Sequence, residues 1–254
     1  MKIAVITGAS SGMGREFVLQ LDKSEVFDEI WVIARRKDRL EELAPQIRAK
    51  LRPLAMDLTL QESYDAYKAL LEEANPEIAV LVNGSGYGYF RPFTEDPLEG
   101  QLKMIDLNDK ALVAITYLSL PYMKKGGKIY QIGSLSSFQP VPYINLYGAT
   151  KAFVLSFSRA LNVELRPRGI RVMAVCPGWI KTEFFDTAIN DNTITYFNKY
   201  YTSEEVVCLA LKDMKRGKDV SVLGFGNQLQ RLAVKLLPHW FVMRTWCKQQ
   251  KQPF

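Results

Sequence analysis

Tyr147-Gly148-Ala149-Thr150-Lys151 opens an apolar, helix-like run thirteen residues after Ser134. A phenol, an ammonium and a hydroxyl are together enough to move a proton to or from a carbonyl oxygen. Residues four apart share one face of a helix, so this spacing brings the Lys151 ammonium near the Tyr147 phenol. A free phenol titrates near ~10 and is a poor acid or base at neutral pH. A cation beside it is expected to pull that value down towards the working range. Spacing alone does not single out the pair, because Tyr64 and Lys68 repeat it. No strand ending in serine precedes that second pair, and Glu62, Asp65, Glu72 and Glu73 surround it, so both residues read as a solvated surface.

Two kinds of element must position these groups. Lys2-Ile-Ala-Val-Ile-Thr7 reads as a short buried strand, and Gly8-Ala-Ser10-Ser11-Gly12-Met13-Gly14 follows it at once, before a helix-like run from Arg15. Strand, glycine turn and helix in that order bring bare N–H groups and the positive end of a helix to one point, which suits a pyrophosphate. Gly8 permits the turn, Gly12 lets backbone approach the phosphate, and Gly14 lets the helix pack on the strand. Apolar runs then alternate with amphipathic ones along the chain, predicting a parallel sheet with helices on both faces. The expected strands are 2–7, 28–34, 51–56, 78–83, 127–133, 170–176 and 219–223. The expected helices are 13–22, 38–49, 60–74, 98–123, 147–166 and 203–215, with Thr202-Ser-Glu-Glu205 spaced as a capping box at the last.

Thr7-Gly8-Ala9-Ser10-Ser11-Gly12-Met13-Gly14, Asn83, Asn108, Ser134, Tyr147, Lys151 and Pro177-Gly178 stand in the order and spacing of the short-chain dehydrogenase/reductase family. The resemblance covers about residues 1–225. It implies a single-domain, Rossmann-type, doubly wound α/β fold of about seven strands, and hydride transfer between a nicotinamide and a ketone or secondary alcohol. By the same resemblance Tyr147 is the general acid/base and Ser134 holds the carbonyl oxygen. Lys151 depresses the Tyr147 pKa and bonds the nicotinamide ribose, and Asn108 anchors a water relay. Asp57 and Leu58 fall near the adenine, Asn83 and Gly84 on the cofactor wall, and Pro177, Gly178, Ile180 and Thr182 beside the nicotinamide. The family's usual Asn-Asn-Ala-Gly stands here as Asn83-Gly84-Ser85-Gly86.

The second strand ends at Ala34-Arg35-Arg36 with no acid. A carboxylate at that place accepts bonds from a ribose 2′-hydroxyl, whereas a guanidinium clasps a 2′-phosphate. Arg35, with Arg36 or Arg15 in support, therefore favours NADP(H) over NAD.

At 254 residues the chain is long enough for one α/β domain. Cys176, Cys208 and Cys247 are widely spaced and odd in number, which argues against disulfides and zinc, and His239 is the only histidine. No metal site is expected, and no signal peptide: the chain starts one residue before its first strand, which together with the cysteines predicts a cytoplasmic protein. The uncharged run Ala111 to Met123 is too short to span a bilayer. Net charge is +6, but Arg231, Lys235, Arg244, Lys248 and Lys251 supply +5 after the last acid, Asp219. The body is thus near neutral, which argues against a nucleic-acid surface.

The substrate signals are aromatic. Phe184, Phe185, Tyr196, Phe197, Tyr200 and Tyr201 crowd a 183–203 loop, and Tyr87, Tyr89 and Phe90 follow the fourth strand. If these line the cleft the substrate is a bulky, apolar small molecule, although half of them could instead pack the loop onto the body. Residues 228–254 form an amphipathic basic extension, with Leu229, Leu232, Ala233, Leu236 and Leu237 on one stripe. That extension reads first as packing near the cleft and second as contacting an anionic membrane surface. A 3-oxoacyl thioester reductase is the alternative activity, and a non-catalytic NADP-binding sensor or scaffold the alternative class. The family suggests a homodimer or homotetramer, formed through helices 98–123 and 147–166.

Overall fold

The computed structural model describes residues 1–184, 188 and 193–254. Its strands are β1 (Lys2–Thr7), β2 (Glu29–Ala34), β3 (Lys50–Ala55), β4 (Glu77–Asn83), β5 (Lys128–Ile132), β6 (Arg171–Val175) and β7 (Val220–Ser221). They form one parallel sheet in the order β3-β2-β1-β4-β5-β6-β7. The helices are α1 (Gly12–Ser24), α2 (Lys37–Glu41), α3 (Gln61–Ala74), α4 (Leu98–Ile105), α5 (Ala111–Ser119), α6 (Asn145–Glu164), α7 (Ser203–Lys215), α8 (Phe225–Leu236) and α9 (His239–Gln250).

The strands are apolar runs because both faces of the sheet are covered. Phe17, Val18 and Leu21 of α1 and Val206, Val207 and Ala210 of α7 pack on Ile6, Val32, Val82 and Val175. On the other face Tyr67 and Leu71 of α3, Ile115 of α5 and Leu161 of α6 pack on Val5, Ile33, Leu81, Ile129 and Val172. β2 and β4 flank β1, and the chain winds outward from there in both directions, leaving a crevice at the carboxyl ends of β1 and β4.

The structure departs from the sequence reading where a local constraint stops a helix. The expected 38–49 helix ends at Glu41 and resumes only as a short turn over Ala44–Gln46, because Pro45 has no N–H to continue the ladder. The expected 98–123 helix is divided by a π turn at Asp106–Lys110 and ends in a 3-10 turn containing Pro121. β7 is two residues long and pairs with β6 at the edge of the sheet. Tyr64 is not a surface residue: its ring is buried and its hydroxyl donates to the Leu58 carbonyl at 2.5 Å, while Lys68 is exposed and pairs with Glu72. Alternating charges fixed the outer face of α3 but could not show that Tyr64 points inward.

The expected capping box is present at α7. Thr202 Oγ1 accepts from Glu205 N at 3.1 Å, and Glu205 Oε2 accepts from Thr202 N at 2.9 Å. Since α7 packs on α1, Thr202→Ala is expected to cost about 1 kcal/mol, read as a fall in Tm of about 2–4 °C for a chain of this size. An unchanged Tm would show that α7 is held by packing alone.

Candidate active site

β1 ends at Thr7, and its hydroxyl oxygen accepts from the backbone N–H of Gly84 at 3.0 Å and of Ser85 at 3.1 Å. This ties the turn after β1 to the turn after β4. Gly8 turns with φ +69°, and a Cβ there would stand 2.6 Å from the Gly84 carbonyl carbon. A Cβ on Gly14 would run into the carbonyl of Gly8. Only glycine fits where backbone meets backbone so closely. α1 begins without a side-chain cap at Ser11, so its first N–H groups are not spent on a cap where Ser11, Gly12, Met13 and Gly14 border the cavity. This uncapped, positive helix end beside bare backbone fits the pyrophosphate of a dinucleotide.

A cavity of about 1200 Å³ opens from this cradle. Gly8, Ser10, Ser11, Gly12, Met13, Gly14, Arg35, Arg36, Asp57, Leu58, Gly84, Ser134, Tyr147, Lys151, Pro177, Gly178, Ile180 and Thr182 all border it. Asn83 and Asn108 do not. Asn83 is buried behind the wall, where its amide donates to Thr116 Oγ1 at 2.9 Å and Gln131 Oε1 at 2.8 Å and fastens β4 to α5 and β5. Asn108 sits in the π turn, accepting from Tyr87 N at 3.1 Å and donating to Tyr87 O at 2.9 Å and Thr150 Oγ1 at 3.0 Å. It thus clamps the loop after β4 onto α6.

At the nucleotide end Arg35 and Arg36 flank the cavity. Arg36 donates to Ser10 Oγ at 3.3 Å and pairs with Glu183 at 3.2 Å, whereas Arg15 pairs with Glu42 and does not border the cavity. Burial raises the Asp57 pKa, but bonds from the Thr59 backbone and hydroxyl, with Arg35 nearby, outweigh it and hold the carboxylate below its ordinary value.

Midway along the cavity Ser134, Tyr147 and Lys151 converge. Ser134 leaves β5 as the cap of a short turn, its hydroxyl accepting from Ser136 N at 3.2 Å. Lys151 is buried, donates to the Ile132 carbonyl at 2.8 Å, and holds its ammonium 5.6 Å from the Tyr147 ring centroid. Gly86 keeps this corner open: a Cβ there would stand 2.9 Å from Asn108 Oδ1 and 3.4 Å from Lys151 Nζ.

Burial reverses the expected titration. It pushes the Tyr147 phenol up to about 12, against a downward pull from the Ser134 side chain. Burial also brings Lys151 down to about 8, with Asp109 opposing. Tyr147 therefore lies above its ordinary value rather than below it, because desolvation of the phenolate outweighs the hydrogen bond from the Ser134 side chain.

The sequence reading missed Asp109. Its Oδ1 is buried without a hydrogen-bond partner among the described residues, and burial raises its pKa from 3.8 to about 7 although Lys151 opposes this. The available signal was an acid directly after Asn108, just ahead of the uncharged Ala111–Ser119 stretch.

The far end of the cavity is aromatic. Tyr87, Tyr89, Phe90, Phe184 and Tyr196 border it, with Phe90 and Phe184 at 5.4 and 5.5 Å from the Tyr147 ring. Phe197, Tyr200 and Tyr201 pack instead. Phe197 stacks edge-on against Trp179 at 4.9 Å, Tyr200 lies 5.8 Å from Phe197, and Tyr201 pairs with the Ile180 segment. Phe185 lies outside the described residues. Trp179, itself on the cavity wall, was not singled out from sequence.

The C-terminal helices close this end. Val234, Leu237, Phe241 and Trp246 border the cavity, and Trp246 Nε1 donates to the Pro142 carbonyl at 2.9 Å. Gln250 Oε1 accepts from Thr195 N and Tyr196 N, both at 2.9 Å. The expected leucine stripe therefore splits: Ala233 and Leu237 turn to the cavity, while Leu229, Leu232 and Leu236 stay exposed.

Asp109 generates a stability prediction. Its folded pKa lies above its unfolded one, so the folded state binds the proton more tightly. That contribution is fully present below the unfolded value and is lost as pH rises through about 7. Asp109→Asn cannot ionise and should therefore melt higher than the wild type at pH 8 and alike at pH 4. A lower Tm at pH 8 would overturn the assignment.

Comparison with known proteins agrees with this geometry. The sequence profile of the short chain dehydrogenase family matches residues 2–193. The very-long-chain 3-oxoacyl-CoA reductase of Macaca fascicularis is 36% identical over 190 residues, covering 71% of this chain and 60% of that protein. The chain thus spans about 60% of the length of such curated relatives. A short-chain dehydrogenase from Sphingobium yanoikuyae, solved with NADPH, superposes with a TM-score of 0.79 at 31% identity, over 93% of this chain and 94% of that one. The bulky-bulky ketone specific alcohol dehydrogenase from Comamonas testosteroni gives 0.75 at 27% identity, over 93% and 92%. With the glycine cradle, the Ser134, Tyr147 and Lys151 convergence and a profile matching most of its length, the chain belongs to the short-chain dehydrogenase family.

Proposed function

We propose that this protein is an NADP(H)-dependent oxidoreductase that interconverts a bulky, lipophilic ketone and its secondary alcohol. The observation that carries this reading is the convergence of Ser134, Tyr147 and Lys151 between a dinucleotide cradle and an aromatic chamber of one cavity. The cradle residues, from Gly8 to Gly14, would hold the pyrophosphate, with Arg35 and Arg36 against a 2′-phosphate and Asp57 and Leu58 near the adenine. When bound, the nicotinamide supplies or accepts the hydride. Tyr147, protonated at neutral pH, donates to the carbonyl oxygen in the reductive direction, and Ser134 holds that oxygen by a hydrogen bond. Lys151 places a buried cation beside the phenol and so favours the phenolate that forms when the proton leaves. Asn108 positions the Tyr87 loop and, through Thr150, the start of α6.

A specific observation favours a second reading of the substrate, a 3-oxoacyl thioester, because a 36% identical relative bears that name. The aromatic chamber accommodates the apolar tail of either. Free thiols at Cys176, Cys208 and Cys247 support a cytoplasmic setting. Exposed Leu98, Leu102, Val113, Tyr117 and Phe153 on α4, α5 and α6 support pairing of two copies through that face.

Tyr147→Phe is expected to lower turnover of a ketone panel at least ~100-fold while leaving NADPH affinity within about twofold, read by nicotinamide fluorescence. Retained turnover would remove Tyr147 from its role. In the same titration NADPH should bind more tightly than NADH, and Arg35→Ala should erase at least ~tenfold of that difference, the value of a lost charged hydrogen bond. Equal affinities in the wild type would overturn the cofactor preference and leave the fold untouched.

A further inference from the structure

The chain beyond β7 presents two unlike surfaces. Gln230, Ala233 and Val234 of α8 border the cavity. About 120° round the helix axis, Phe225, Leu229, Leu232 and Leu236 align at i, i+4, i+7 and i+11 as one apolar ridge. They are 84%, 57%, 56% and 85% exposed, and Trp240, 56% exposed, follows past Pro238. Single exposed leucines are ordinary on a protein surface, but a continuous ridge of them marks a contact.

Charge identifies the occupant. No acid follows Asp219, and Lys235 on α8 and Arg244, Lys248 and Lys251 on and after α9 are all exposed. Arg231 is set apart, its guanidinium stacked 5.5 Å over the Phe138 ring. An exposed apolar ridge followed by a tryptophan, in a segment whose only charged side chains are cations, has the make-up of a helix lying in the headgroup layer of a bilayer. We propose that α8 and α9 seat this protein on an anionic lipid surface, with Phe225, Leu229, Leu232 and Leu236 at the acyl boundary and the exposed cations among the headgroups. A second copy is the poorer occupant, because an isologous contact through this face would bring cations against cations. The contact is peripheral: no helix among the described residues is long and apolar enough to cross a membrane. One consequence rests on the proposed function. The helices that meet the lipid also wall the cavity, so lipid contact would hold the aromatic chamber close to the source of a lipophilic substrate.

The test is co-sedimentation of the full chain with vesicles of phosphatidylcholine, alone or with about a quarter phosphatidylserine. The protein should pellet with the anionic vesicles only and be released by about 0.5 M salt. Leu229→Ser/Leu232→Ser/Leu236→Ser and, separately, Lys235→Glu/Arg244→Glu/Lys248→Glu should each weaken binding at least ~tenfold, since each lysine or arginine at such a surface contributes measurably. Thermal melting close to that of the wild type shows that each variant is folded. Wild-type protein left in the supernatant with both vesicle types would overturn the proposal. So would a leucine variant that keeps full vesicle binding but halves the mass in ultracentrifugation, which would assign the ridge to a second copy. Sedimentation is independent of turnover, so an error in the proposed activity leaves this result readable.

Discussion

At the carboxyl end of β1 one hydroxyl settles where the cleft lies. Thr7 Oγ1 accepts from both Gly84 and Ser85, pinning the turn after β4 against the turn after β1. The backbones then lie so close that Gly8, Gly14 and Gly84 exclude any side chain. Because β2 and β4 flank β1, the chain leaves this point in opposite directions and the crevice opens there. Everything else in the site is hung from it. Asn83, directly before Gly84, is fixed to Thr116 and Gln131, so the same pinned segment is also fastened to the neighbouring strand and helix. The Tyr87 loop beyond it is clamped by Asn108, which in turn bonds Thr150 on α6, between Tyr147 and Lys151.

Around Tyr147 electrostatics is governed by desolvation rather than by pairing, in contrast to the nucleotide end, where bonds to Asp57 outweigh its burial. Tyr147, Lys151, Asp109 and Cys176 are all shifted towards their neutral forms, and burial is the largest cause in each. Lys151 keeps a donor bond to the Ile132 carbonyl and feels the Asp109 carboxylate, but forms no ion pair among the described residues. Such a site holds its protons on Tyr147 and loosely on Lys151, which suits a group that must give up a proton only when charge develops beside it. The π turn is the structural expression of the same arrangement. By inserting one residue's worth of slack at Asp106–Lys110 it turns Asn108 inward and leaves Asp109 partly buried behind it.

The aromatic chamber is held from a distance in sequence. Trp246 reaches Pro142, Gln250 caps the backbone at Thr195 and Tyr196, and Gln252 donates to Thr193. These polar hooks, rather than the leucines, bring the C-terminal helices over the cleft. That frees the leucine ridge to face outward, so one amphipathic helix borders the cavity with one side and shows an apolar surface with another.

The sequence by itself determined the sheet, the glycine turn and the identity of the three converging groups. Each rests on short-range rules: an apolar run covered on both faces must be a buried strand, a turn that brings backbone onto backbone must be glycine, and residues four apart share a helical face. The ends of α2 and α5 were legible in principle at Pro45 and Pro121. Only the tertiary structure decided the rest. It alone placed Asn83 and Asn108 behind the wall as ties, turned Tyr64 inward, divided the aromatic residues between chamber and packing, and set the direction of the Tyr147 shift. The reason is common to all four. Burial and long-range hydrogen bonds depend on what other segments bring to the same place, and spacing along one segment carries no record of that.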